Sequence, residues 1–213
     1  MPNATVVFAD VIQSRRDPAG ASGRLRDLVG RLDTLYGDER LAPFGFTQGD
    51  ELQGLLRPSA DPLAGVLLAG LADDGLPLRW AIAHGEVDAG TGPATERNGP
   101  AFVAAREAIE GARAHRERLV MQTGNVDADE LLGDLAPVLA EVLMELTARQ
   151  RTVARLAILD GLRRTDVANR LGITRSAASV TYRRARVETI RRLSRAVRRL
   201  FAAGVGRTDG TGT

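Results

Sequence analysis

The chain has 213 residues, 44% of them hydrophobic, which is enough for one moderate domain and one small one. It contains no cysteine, which excludes disulfides and thiolate metal sites and suits a reducing compartment. No apolar run approaches membrane-spanning length, and the first residues lack the basic stretch and cleavage site of a signal peptide. The expectation is a cytoplasmic protein with no membrane partner.

The formal net charge of +2 hides two opposite halves. From Met1 to Thr147, thirteen Arg face twenty-three acidic residues; from Ala148 to Leu200, fifteen Arg face only Asp160, Asp166 and Glu188. A concentrated cationic half is the footprint of phosphate binding, whereas the acidic half repels nucleic acid. Lysine is absent, so a phosphate loop of the G-x-x-x-x-G-K type is impossible.

In chain order, Thr5–Ala9 is a short β-branched strand running into Asp10. Ser22–Tyr36 carries Leu25, Leu28, Val29, Leu32 and Leu35 at helical spacing. Phe44–Gln48 and Glu51–Leu56 are strands around Gly49-Asp50, which reads as a tight hairpin. Pro62–Leu71 is a helix, Leu78–His84 a strand with Trp80 in the core, Pro100–Ala114 a helix and Leu119–Gln122 a last strand. This β-α-β-β-α-β-α-β order predicts an α+β fold with an N-terminal ferredoxin-like palm over residues 1–125.

Residues 126–146 form a helical connector interrupted by Pro137. Its stripe of Leu131, Leu132, Leu135, Val138, Leu139, Val142, Leu143 and Leu146 either packs on the chain itself or forms a dimer seam. Residues 147–203 read as an all-α helix-turn-helix domain. Thr147 caps a first helix through Leu159, Thr165 caps a second with Val167, Ala168 and Leu171 on its apolar side, and Gly172 supplies the left-handed turn. Thr174 or Ser176 then caps a recognition helix. Its candidate DNA-binding residues are Thr174, Arg175, Ser176, Ser179, Val180, Arg183 and Arg184. Val187–Ala202 is a closing helix, and the small, polar stretch 204–213 is expected to be disordered.

Two features of the palm carry chemistry. Asp10 ends the first strand, and Asp50 with Glu51 sits at a hairpin forty residues later. If the two strands are neighbours, the carboxylates converge as a hard divalent ion requires. Asp10 equally well caps the following turn, and Asp and Gly are common hairpin residues, so spacing alone leaves both readings open. Ser14 and Arg15, in the turn after Asp10, suit phosphate oxygens or a solvated loop. His84 and His115 lack metal-ligand spacing and read as structural.

The segments VVFADVIQSR, FTQGDELQGLL, LRWAIAHGEV and NGPAFVAAREAI are similar, in order, to the signature blocks of the SatD family, whose palm is related to class III nucleotide cyclases and diguanylate cyclases. The resemblance covers about the first 120 residues. It implies a palm of the nucleotide cyclase type, with Asp10 and Asp50 as Mg²⁺ or Mn²⁺ ligands and Arg106 on phosphate. Ser14, Arg15, Gly49 and Glu51 complete the implied nucleotide site. Two positions depart from the pattern: Phe102 stands where cyclases carry the Asn that steadies the ribose, and Phe46 where adenylate cyclases carry a purine-selecting Lys. The helical half resembles sigma-factor region four and LuxR-type domains. Together these imply a homodimeric, DNA-binding transcriptional regulator whose degenerate palm senses a nucleotide or metal or joins two copies. The alternative is an active Mg²⁺- or Mn²⁺-dependent cyclase or nucleotidyltransferase with a regulatory helix-turn-helix tail. A third reading makes the basic half a dock for an acidic protein or RNA.

Overall fold

A computed structural model describes residues 1–12, 18–46, 51–73 and 75–210. The elements run β1 (Asn3–Val11), α1 (Pro18–Tyr36), β2 (Arg40–Phe46), β3 (Glu51–Leu56), α2 (Leu63–Gly70), β4 (Leu78–Glu86), α3 (Pro100–His115), β5 (Leu119–Gln122), α4 (Val126–Met144), α5 (Ala148–Ile158), α6 (Arg164–Leu171), α7 (Arg175–Arg184) and α8 (Val187–Gly210). The strands form one sheet in the order β2-β3-β1-β4-β5, with β1 antiparallel to β3 and β4, and β5 parallel to β4. The first four strands with α1 and α2 make the ferredoxin-like palm, and α3 carries the chain across to β5. The fold class is therefore α+β, as the element order predicts.

β1 lies in the middle and is buried on both faces, so it is an almost unbroken apolar run ending in a carboxylate. Its odd-numbered residues Val7, Ala9 and Val11 face Leu25, Leu28 and Leu32 of α1 and the helical half. Val6 and Phe8 face Ala101, Phe102, Ala105 and Ile109 of α3. This alternation places Asp10 on the α3 side. Gly54 of β3 is required because the Phe44 ring fills the space a Cβ would take, and that ring stacks on Tyr36 at 5.6 Å.

Tyr36 ties α1 to the start of α2. Its hydroxyl donates towards the carbonyls of Asp61 and Pro62, both at 3.1 Å, and accepts from the Gly65 amide at 2.9 Å. Burial pushes the phenol pKa far up. Tyr36→Phe strands the buried Gly65 amide and is expected to cost about 1–3 kcal/mol, read by urea unfolding. A raised phenol pKa means stability that is complete below the unfolded value near about 10 and drains away as pH rises above it. The native protein should therefore weaken above that pH more steeply than Tyr36→Phe.

The helical half shares the palm's core. Leu139 and Leu143 of α4, Val153 and Leu156 of α5, Val167 of α6, and Ile190, Val197 and Phe201 of α8 belong to the same buried cluster as α1, α2 and the sheet. α4 continues through Pro137 rather than breaking there. Its expected stripe divides: Leu132, Leu139, Val142 and Leu143 are buried, while Leu131 and Val138 are 49% and 45% exposed.

The expected disorder from residue 204 is corrected by α8, which stays helical to Gly210. Gly204 passes so close to Thr123 that a Cβ would collide with its side chain, Val205 is buried, and Arg207 donates to Asn125 Oδ1 at 3.1 Å. Residues 211–213 lie outside the described residues.

Candidate nucleic-acid interface and palm site

The palm site forms where three strands end together. Register sets Asp10 directly opposite Arg79 on β4 and Glu51 on β3, and directly opposed residues share a sheet face. Asp10 is only 4% exposed. Arg79 Nη1 donates to both of its carboxylate oxygens, at 3.2 and 3.1 Å, while Arg79 Nε donates to the Glu117 carbonyl. From α3, Arg113 donates to Asp10 Oδ2 through Nε at 3.0 Å and Nη2 at 2.7 Å. The carboxylate implied as a metal ligand is thus an ion-pair partner for two guanidinium groups.

Glu51 accepts from Gln53 Nε2 at 2.9 Å and lies 3.9 Å from Arg106 Nη1. Arg106 also covers the Phe8 ring at 5.3 Å, with its side chain 55% exposed. Next to it runs an open groove of about 410 Å³ lined by Gln53, Arg97, Asn98, Phe102, Arg106 and Glu110. The described donors are two carboxylates, Asp10 and Glu51, against three arginines. That set is net cationic and does not fit a hard divalent ion by itself, and among the described residues no group of three or more His, Asp or Glu converges. Ser14, Arg15, Gly49 and Asp50, the remainder of the expected site, lie outside the described residues.

Phe102 is buried edge-to-face against Phe8 at 6.2 Å and offers no hydrogen bond where a ribose-steadying Asn would stand. His84 is buried beside Thr5 at 3.2 Å, on the sheet face away from Asp10, in keeping with a structural role. The arginine partners of Asp10 were missed by sequence reasoning. The one available signal was alternation along β4, which sets Arg79 on the same face as Ala81 and Ala83.

The helix-turn-helix begins on firm local rules. Thr147 and Gln150 form a reciprocal capping box at the start of α5. α6 starts without a side-chain cap at Arg163, so Thr165, expected as the cap, sits inside the first turn with its hydroxyl 3.5 Å from Asp166 Oδ1. Gly172 ends α6 at φ 62°, the left-handed turn that glycine adopts without a Cβ penalty. Thr174 then caps α7, accepting from the Ala177 amide at 3.1 Å. Ala178 and Tyr182 turn inward, while Thr174, Arg175, Ser176, Arg183 and Arg184 are exposed and Ser179 and Val180 are half-buried. The seven expected residues therefore share one helix and its cap, five of them open to solvent.

Tyr182 locks α7 in place. Its hydroxyl donates to Glu188 Oε1 at 3.1 Å and accepts from Arg191 Nη1 at 2.6 Å, and Arg191 Nη2 donates to the Ala157 carbonyl at 2.8 Å. Burial and the Glu188 hydrogen bond push the Tyr182 phenol pKa up, and the same bond holds Glu188 below the usual carboxylate range. This knot joins α5, α7 and α8, so the exposed side of α7 is held on a fixed base.

No family model matches the chain. No curated protein matches it either. Among solved structures, it is similar to a bacterial light-regulated adenylyl cyclase at 14% identity and TM-score 0.42, over 56% of this chain and 74% of that one. It is also similar to the regulator of polyketide synthase expression from Bifidobacterium adolescentis at 17% identity and TM-score 0.29, over 98% of this chain and 82% of that one. Likeness at these scores carries no functional argument, and the SatD resemblance rests on its four sequence blocks.

Proposed function

We propose that the protein is a homodimeric, DNA-binding transcriptional regulator of the SatD type, whose palm of the cyclase type senses a nucleotide or joins two copies. The observation that carries this reading is the open face of α7, where Arg175, Ser176, Arg183 and Arg184 are exposed on a capped helix within a strongly cationic half. Its ten residues make a rod about 15 Å long whose diameter of about 10–12 Å fits a major groove about 12 Å wide. In this reading the arginines hold phosphates while Ser176, Ser179 and Val180 meet base edges. A dimer sets two such helices about one DNA turn apart.

The palm is read as a sensor rather than an engine. Turnover needs the attacking hydroxyl positioned as well as activated, and buried Phe102 supports no such role. Arg106, with Ser14, Arg15 and Gly49, is assigned to a nucleotide's phosphates, and Glu51 to the same nucleotide site as the ion-pair partner of Arg106. Mg²⁺ or Mn²⁺ belongs to this reading only as an ion arriving with those phosphates, with Asp50 as its protein ligand, because Asp10 is already engaged.

Gel shifts of the full-length protein with genomic duplex fragments test the proposal. Binding that tightens steeply as salt falls is the expected result, and no shift at low salt would sink it.

A further inference from the structure

We propose that α8 is a second DNA-contacting element, with Arg192, Arg195 and Arg199 holding the phosphate backbone beside the segment that α7 reads. The inference rests on the DNA-binding reading above and extends it to a helix outside the helix-turn-helix.

The two sides of α8 have different fates. Val187, Ile190, Val197 and Phe201 are buried in the core. Two of its arginines are also committed: Arg191 to Tyr182, Glu188 and the Ala157 carbonyl, and Arg198 through Nε to Asp61 Oδ2 at 2.7 Å. Arg192, Arg195 and Arg199 fall at i, i+3 and i+7, one strip along the helix, and all three are exposed. None of them makes an ion pair among the described residues, although Arg192 lies one turn from Glu188.

Folding does supply acids to arginines within reach. Arg155 meets Asp73 and Asp160, and Arg186 meets Glu145 at 2.8 Å. The strip is left out of this pairing. Like charges three and four residues apart on a helix repel, a cost that a polyanion lying along the strip removes.

Scale and continuity favour DNA as that polyanion. The strip spans about 10 Å of helix axis at 1.5 Å per residue, and duplex DNA presents one charge per about 1.7 Å. Only Ala185 and Arg186 separate α7 from α8, so the strip begins about two helical turns along the chain from Arg183 and Arg184 at the end of α7. The competing occupant is a second copy's α4, whose exposed side carries Asp127, Glu130, Asp134 and Glu141.

The test is the salt dependence of DNA affinity, measured by fluorescence anisotropy on full-length protein carrying Arg192→Gln, Arg195→Gln and Arg199→Gln together, with the single Arg195→Gln alongside in case the triple variant misfolds. Each lost phosphate contact should lower the slope of log affinity against log salt by about 0.9, giving about 2–3 for the triple variant and about 1 for the single one. The loss should be equal on specific and random duplexes. Unchanged slopes with tight wild-type binding would overturn the inference and leave the DNA-binding reading intact. Wild-type protein that ignores DNA at every salt would remove both. Unchanged slopes together with a shift from dimer to monomer in light scattering would give the strip to the acidic face of α4 and overturn the DNA assignment.

Discussion

Asp10→Ala is expected to destabilise the fold by about 3–5 kcal/mol, the range for removing one partner of a buried ion pair. The cause is what remains. Arg79 is 8% exposed and its guanidinium loses both carboxylate oxygens, and among the described residues only the Glu117 carbonyl still accepts, from Nε. Arg113, with its side chain 52% exposed, is already half in water and should cost much less. The double variant Asp10→Leu with Arg79→Met should recover much of the loss, because replacing a whole buried pair by apolar groups of similar size is often neutral. Urea unfolding of both variants reads this directly. A loss below about 1 kcal/mol for Asp10→Ala would mean that the pair is better hydrated than its burial indicates. The same result would reopen Asp10 as a metal ligand, since its carboxylate would then be easily released.

Arg183→Ala with Arg184→Ala is expected to weaken DNA binding by about one to two orders of magnitude at moderate salt, with the salt slope reduced by about 2. Both side chains are exposed on the last turn of α7 and make no ion pair among the described residues, so folding should be unaffected. Ser176→Ala or Ser179→Ala should act differently. Their loss belongs to base readout, worth about 1–3 kcal/mol at single positions, and should change which sequences are preferred rather than affinity overall. Anisotropy on a panel of duplexes separates the two behaviours. An unchanged salt slope in the double arginine variant would remove α7 from the interface.

Much of this architecture is written in local pattern. Alternation and β-branching marked the strands, leucine spacing marked α1, and Thr147, Gly172 and Thr174 marked helix ends because caps depend on neighbours a few residues away. Long-range chemistry is less legible. Asp10 meets Arg79 across 69 positions and Arg113 across 103, so the metal-ligand role that the family resemblance implied for Asp10 meets an ion pair no local pattern announces. The end of α8 misled for a related reason. The small, polar stretch 204–213 read as disordered, but Gly204 sits where the helix passes Thr123 so closely that a Cβ would collide, a contact no local window contains. Thr165 shows the limit of capping rules, since α6 begins one residue before it, at Arg164, with Arg163 as an N-cap that offers no side-chain hydrogen bond.

The shared core has a consequence for what can be transplanted. Cutting the chain at Thr147 would leave Val153, Leu156, Val167 and Phe201 without the floor that α4 and the palm provide. Arg155 and Arg198 would also lose Asp73 and Asp61, the palm acids they grip. Many helix-turn-helix units are portable heads on flexible necks. This one is built into the masonry: α7 rests on α5, α6 and α8, whose buried side chains belong to the same core as the palm, so its seat is packed rather than hinged.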